Sequence, residues 1–133
     1  MAIFSDVKLV KDLFGELWTE LIEKTEFGPS VRENNLSVLF AVKDPDVFMY
    51  VDGNGVKWDD EAKNMNAVVT MSMSGDTVHK FWLKKLNIPV ALATRTVKAK
   101  GPVPKVLKLM PLLKPGYAKY EGYCKKYNLP IDV

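Results

Sequence analysis

Near the start of the chain, apolar residues recur every three or four positions. Val10, Leu13, Phe14, Leu17, Trp18, Leu21 and Ile22 share one stripe, and acids and lysines fill the other face. The spacing predicts an amphipathic helix over residues 6–26. Phe27-Gly28-Pro29-Ser30 then reads as a break.

Beyond the break the period changes to two. Leu36, Val38, Phe40 and Val42 alternate with Ser37, Leu39 and Ala41, and Val47, Met49 and Val51 alternate with Phe48 and Tyr50. Lys43-Asp44-Pro45-Asp46 supplies turn chemistry between these strands, and Asp52-Gly53-Asn54-Gly55 forms a second turn before a short strand, Val56-Lys57-Trp58. Ala67, Val69, Met71 and Met73 mark a fourth strand, and Val97 and Ala99 a fifth over residues 96–100. The pattern predicts an antiparallel sheet with one apolar face.

Helical spacing returns after the fourth strand. Gly75-Asp76-Thr77 opens a helix with Val78, Phe81, Trp82 and Leu86 on one side. Ile88-Pro89 starts a short one. Residues 102–113 are helical in pattern, but apolar side chains cover more than one face, and Pro111 kinks or ends the segment. A last helix is expected over residues 116–127, with Tyr117, Tyr120, Cys124 and Tyr127 on one face, where it either packs onto the domain or meets a partner.

Composition adds bounds. A chain of 133 residues, 47% hydrophobic and 26% charged, fits one globular domain spanning 1–133. Cys124 is the sole cysteine, so no intrachain disulfide forms, which fits a reducing compartment. No apolar run approaches the ~20 residues of a membrane span, and a cytoplasmic protein is expected. Residues 1–76 carry 7 basic and 14 acidic side chains, whereas residues 77–133 carry 12 basic and 2 acidic ones. The net charge of +3 therefore hides a dipolar distribution.

Catalytic chemistry is thinly represented. His79 is the only histidine, Asp76 and Ser72 or Ser74 lie near it, and no nucleophile elbow is present. The residues around it predict a solvent-facing His79 on a lysine-rich helix. Asp59-Asp60-Glu61 reads as a solvated acidic loop. Asp52-Gly53-Asn54-Gly55 fails as a calcium loop because Tyr50 would fall at the first ligand position. With no glycine-rich phosphate motif and no metal-ligand spacing, no catalytic residue, metal or cofactor is expected. The basic second half invites a nucleic-acid reading, but Arg32 and Arg95 are the only arginines, which argues against base and bidentate phosphate contacts.

The more informative feature is apolar surplus. Residues 102–113 carry more greasy positions than a core stripe needs, and methionines cluster at Met49, Met65, Met71, Met73 and Met110. Methionine adapts to a pocket of variable shape. A normal core would also explain both observations.

From Val42 to Leu113 the sequence resembles the sterol carrier protein 2 family. The pieces that carry the resemblance are Val42-Lys43-Asp44-Pro45-Asp46, Val51-Asp52-Gly53, Val69-Thr70-Met71-Ser72-Met73, Gly75-Asp76-Thr77, and Thr94-Arg95-Thr96-Val97-Lys98-Ala99-Lys100-Gly101 followed by Lys105-Val106-Leu107-Lys108-Leu109. It departs at Arg95-Thr96, where family sequences usually place Gly-Lys. The resemblance implies an α+β fold, a five-stranded antiparallel sheet with helices on one face and an apolar tunnel between the layers, to which the residue spacing adds N- and C-terminal helices. It also implies a non-catalytic carrier of a sterol-like lipid, fatty acid or fatty acyl-CoA.

Phe40, Met49, Met71 and Met73 would line the sheet side of that tunnel, Phe81, Trp82 and Leu86 a helix wall, and Val106, Leu109, Met110 and Leu113 a mobile closing helix. Lys105, Lys108 and Lys114 would meet an anionic membrane surface or a ligand headgroup. Two other roles stay open: an accessory module presenting a quinone, isoprenoid or acyl intermediate to a lipid-pathway enzyme, and a homodimer.

Overall fold

The computed structural model describes residues 3–133. Helix α1 (Val7–Lys24) starts where Asp6 accepts a hydrogen bond from the Leu9 amide at 2.8 Å, which satisfies one of the free N–H groups of the first turn. Its stripe is buried as the spacing predicts: Leu13, Phe14, Leu17 and Leu21 are each at most 1% exposed. The expected break is instead a second helix, α2 (Phe27–Glu33). Pro29 is tolerated there because the first turn has no partner for its missing N–H. The chain bends before it, at Thr25, whose hydroxyl accepts from the Phe27 amide at 3.1 Å.

Strands β1 (Ser37–Lys43), β2 (Val47–Asp52) and β3 (Gly55–Trp58) form an antiparallel meander. In the β2–β3 turn the Asp52 carboxylate accepts from the Asn54 and Gly55 amides at 2.8 and 3.1 Å. The chain then crosses under the sheet through α3 (Asp59–Lys63) to β4 (Val69–Ser74), which joins the far side of β1. Asp59-Asp60-Glu61 are thus the first turn of a helix, not a loop, where acids suit the helix dipole. Asp59 is also paired with Lys11 at 2.5 Å.

The crossover corrects one expectation. The sheet order is β3-β2-β1-β4-β5, and the central β1–β4 pair is parallel; the other three pairs are antiparallel. A hairpin must reverse the chain, whereas a crossover lets β4 run alongside β1.

Helix α4 (Gly75–Trp82) is capped by Ser74, whose hydroxyl accepts from the Thr77 amide at 3.1 Å. Helix α5 (Ile88–Ala93), capped by Asn87, packs with Ala91 beside Val69, Met71 and Val97. Strand β5 (Lys98–Lys100) is shorter than the expected 96–100. After Gly101 the greasy segment splits into α6 (Val103–Leu107) and a 3-10 turn, Met110–Leu113, so Pro111 ends the α-helical path early. Helix α7 (Lys114–Lys126) closes the chain against α1 and α4. The result is an α+β fold: five strands with the main helical layer on the face that carries Phe40 and Met49, and α3 against β2, its Lys63 ammonium 5.0 Å from the Phe48 ring centroid.

Candidate functional site

Between the sheet and the helices lies an apolar cavity of about 60 Å³. Trp18 of α1, Phe27 and Val31 of α2, and Val38 and Phe40 of β1 form its walls, and Val106, Leu109, Met110 and Leu113 roof it. Trp18 joins the wall to the aromatic core. Its ring stacks on Phe40 at 6.0 Å and meets Trp82 edge-on at 5.3 Å, with Phe27 5.5 Å away.

Wall and roof differ in how firmly they are held. Trp18, Phe27 and Val31 are buried, whereas α6 contributes no buried residue and has no side-chain cap. Leu113 alone of the roof residues is buried. With so few fully buried side chains, the roof lies at the low-stability end of the fold.

The structure brings together only part of the expected set. Phe40, Val106, Leu109, Met110 and Leu113 share the cavity. Met49 and Trp82 sit in the main core, 2% and 3% exposed, and Met71 and Leu86 pack in the smaller cluster around Ala91 and Val97. Phe81 packs edge-on against Trp82 and Tyr117. Met73 lines a separate groove described below. Trp18, Phe27, Val31, Leu36, Val38 and Val51 line the cavity but are absent from the expected set. Leu36, Val38 and Val51 carried a signal, the same alternation that marks Phe40. Phe27 and Val31 were masked by reading their helix as a break.

Lys105 and Lys108 lie beside the roof with Asn34, Leu36 and Leu109, around a surface depression of about 250 Å³. Both are exposed, as is Lys114, and among the described residues none of the three is ion-paired. A larger groove, about 320 Å³, lies where β1 and β4 end, with Ala41, Phe48 and Met73 beside Lys43, Arg95 and Lys98. It is open to water and rimmed by charge, so an apolar chain placed there would keep much of its hydration. The smaller, almost wholly apolar cavity is the better hydrophobic site. Arg95 holds the left-handed conformation (φ 63°) that glycine adopts without strain.

His79 is not on a solvated face; it is fully buried. Its Nδ1 is 2.7 Å from the Tyr120 hydroxyl and its Nε2 is 2.6 Å from the Pro130 carbonyl oxygen. Its helix turns Val78, His79 and Trp82 inward together, so the lysines that follow do not report its environment. Asp76 accepts from the Ile3 amide at 2.8 Å, and the Ser74 hydroxyl contacts Thr77. Burial pushes the Cys124 thiol up to about 11, keeping it protonated at neutral pH. The tyrosine face of α7 is used within the chain: Tyr120 and Cys124 are fully buried, Tyr123 donates to Glu20 at 3.0 Å, and Lys119 pairs with the same carboxylate.

Neither protein-family models nor curated proteins match the sequence. Solved structures do match the fold. The sterol carrier protein domain 2 of Helicoverpa armigera superposes with a TM-score of 0.64 at 18% identity, over 86% of this chain and 91% of that one. Sterol carrier protein 2 from Yarrowia lipolytica, in its apo form, gives 0.55 at 17% identity over 87% of each chain. A ubiquinone synthesis protein, UbiJ-SCP2, gives 0.59 at 14% identity over 82% of this chain and 96% of that one. The chain has a sterol carrier protein 2-like fold. No described helix is long and apolar enough to cross a membrane.

Proposed function

We propose that the domain binds and transfers a hydrophobic ligand, a sterol-like lipid, fatty acid or fatty acyl-CoA, between its sheet and the 103–113 roof, without covalent chemistry. The observation that supports this reading is the pairing of a firm apolar wall with a roof whose α6 holds no fully buried residue. At about 60 Å³ the closed cavity is well below the roughly 300–1,000 Å³ of a ligand site. The ligand therefore enters as the roof swings outward, and the space lengthens into the tunnel that the family resemblance implies. Each Å² of apolar ligand surface removed from water contributes about 25 cal/mol. Lys105, Lys108 and Lys114 then stand where an anionic membrane surface or the headgroup of an acyl-CoA would meet the opening.

Native mass spectrometry before and after organic extraction tests the reading. A co-purifying lipid, or uptake of added fatty acid or acyl-CoA, is expected. A protein that is empty and takes up neither overturns it.

A second reading, an accessory module that presents a quinone, isoprenoid or acyl intermediate to a partner enzyme, draws support from the fold shared with the ubiquinone synthesis protein. Truncation after Lys114 cannot test it, because Tyr120 and Cys124 belong to the core. Affinity capture with Lys105→Glu and Lys108→Glu as the matched negative control does. A lipid-pathway enzyme retained by the parent chain and lost by the double variant favours presentation over simple transfer.

A further inference from the structure

Among the described residues, the buried side-chain polar atom left without a hydrogen-bond partner is Trp18 Nε1. Buried polar groups are almost always paired, and a buried tryptophan usually finds an acceptor for its N–H. Trp18 is 4% exposed, and Phe27, Phe40 and Trp82 surround the ring within 5.3 to 6.0 Å. The indole therefore has no room to turn toward another acceptor. A phenylalanine would supply an apolar ring here without an orphaned donor.

The same side chain walls the apolar cavity. Ser37 is the one hydroxyl among the lining residues, and it already accepts the Val68 amide at 2.9 Å. We infer that Trp18 is the polar anchor for the cavity's ligand, donating its indole N–H to a neutral carbonyl or hydroxyl oxygen on an otherwise apolar molecule once the roof opens.

The chemistry narrows the class from two sides. An indole N–H only donates, so the ligand must accept. Among the described residues no cationic side chain lines the cavity, so a carboxylate brought to Trp18 would lose its hydration without gaining a counter-charge. Ketone, quinone, ester and alcohol oxygens fit, while hydrocarbons gain burial but no hydrogen bond from Trp18. A fatty acid could occupy the cavity only with its carboxylate kept outside, toward Lys105 and Lys108.

This inference rests on the lipid-binding reading, and its test separates the two. The full chain, labelled with nitrogen-15, is titrated with methyl hexyl ketone and with the alkene in which a CH2 group replaces the ketone oxygen. The three indole resonances are assigned with Trp18→Phe, Trp58→Phe and Trp82→Phe. The ketone should move the Trp18 indole proton downfield and the alkene should not. Trp18→Phe should weaken the ketone about tenfold and the alkene far less, as expected for one lost hydrogen bond. The wild-type shift alone decides the matter if Trp18→Phe fails to fold. Binding of both ligands with an unmoved Trp18 indole overturns the anchor and leaves the lipid reading standing. Binding of neither overturns both.

Discussion

His79 and Tyr120 form a buried pair that ties α4 to α7, with imidazole Nδ1 2.7 Å from the phenol oxygen. Because Nε2 lies 2.6 Å from the Pro130 carbonyl, it carries the ring proton and donates, which leaves Nδ1 to accept from the Tyr120 hydroxyl. This arrangement uses neutral imidazole, and burial holds its pKa below the ordinary 6.5. A base with a depressed folded pKa binds its proton more readily when unfolded. Its contribution is complete above about pH 6.5 and is lost as the pH falls from there toward the folded value, at up to about 1.4 kcal/mol per pH unit. Urea unfolding at pH 7.5, 6.5 and 5.5 should show that decline, and His79→Gln should flatten the part above the carboxylate range. An equal slope in both proteins would show that His79 does not carry it.

Gly28 lets α2 sit close against the end of α1. A Cβ at that position would collide with the backbone carbonyl of Ile22, a rigid neighbour that can move only with the helix corner. Gly28→Ala should cost about 1–3 kcal/mol. It should also displace Phe27 and Val31, the α2 wall of the cavity, and so weaken lipid uptake beyond the stability loss. Chemical denaturation and displacement of a fluorescent fatty acid at a temperature where the variant is folded report the two effects separately. Unchanged uptake would separate α2 from the binding wall.

How much of this was legible depends on what each signal encodes. The α1 stripe was readable because seven apolar side chains at helical spacing leave one way to bury them, and the structure buries all seven. Alternation in β1 and β2 marked Phe40 and Met49 as inward, but alternation carries no direction, so the parallel β1–β4 pair was invisible. Direction is set by the crossover through α3, whose acids resembled a loop. Gly28-Pro29 looked like a break because the residues are helix breakers in mid-helix, whereas here they occupy the first turn. His79 was misplaced because Lys80, Lys84 and Lys85 dominate its neighbourhood in sequence; its three- and four-residue relation to Gly75 and Trp82 was the better guide. The cavity itself depends on which apolar side chains stop short of filling space, and that is a property of packing rather than of any local pattern.

The lysines beside the roof give a salt-dependent prediction. Lys105 and Lys108 are exposed and flank Leu109, so they can reach an anionic surface while the roof faces it. Each basic residue near such a surface contributes about 1 kcal/mol. Lys105→Glu with Lys108→Glu should reduce co-sedimentation with phosphatidylserine vesicles by at least about tenfold, and raising the ionic strength should weaken the parent chain in the same direction. Binding unchanged by either manipulation would remove the membrane from the mechanism.

Roof and core should respond oppositely to substitution. Leu109 is half-buried and touches the cavity, whereas Leu13 is fully buried inside α1's packing face. Leu13→Ala should cost about 2–5 kcal/mol through lost burial and an unfilled cavity. Leu109→Ser removes far less buried surface in the closed state and should cost about 1 kcal/mol or less. In the liganded state, however, the same leucine would cover bound lipid, and its loss should weaken a fluorescent fatty acid by roughly tenfold, since burying a leucine contributes about 1.5–3 kcal/mol. Melting temperature and dissociation constant, measured on both variants, distinguish a roof from an ordinary part of the core. If Leu109→Ser lowers stability as far as Leu13→Ala does, or leaves affinity untouched, the 103–113 segment is structural packing and the ligand enters elsewhere.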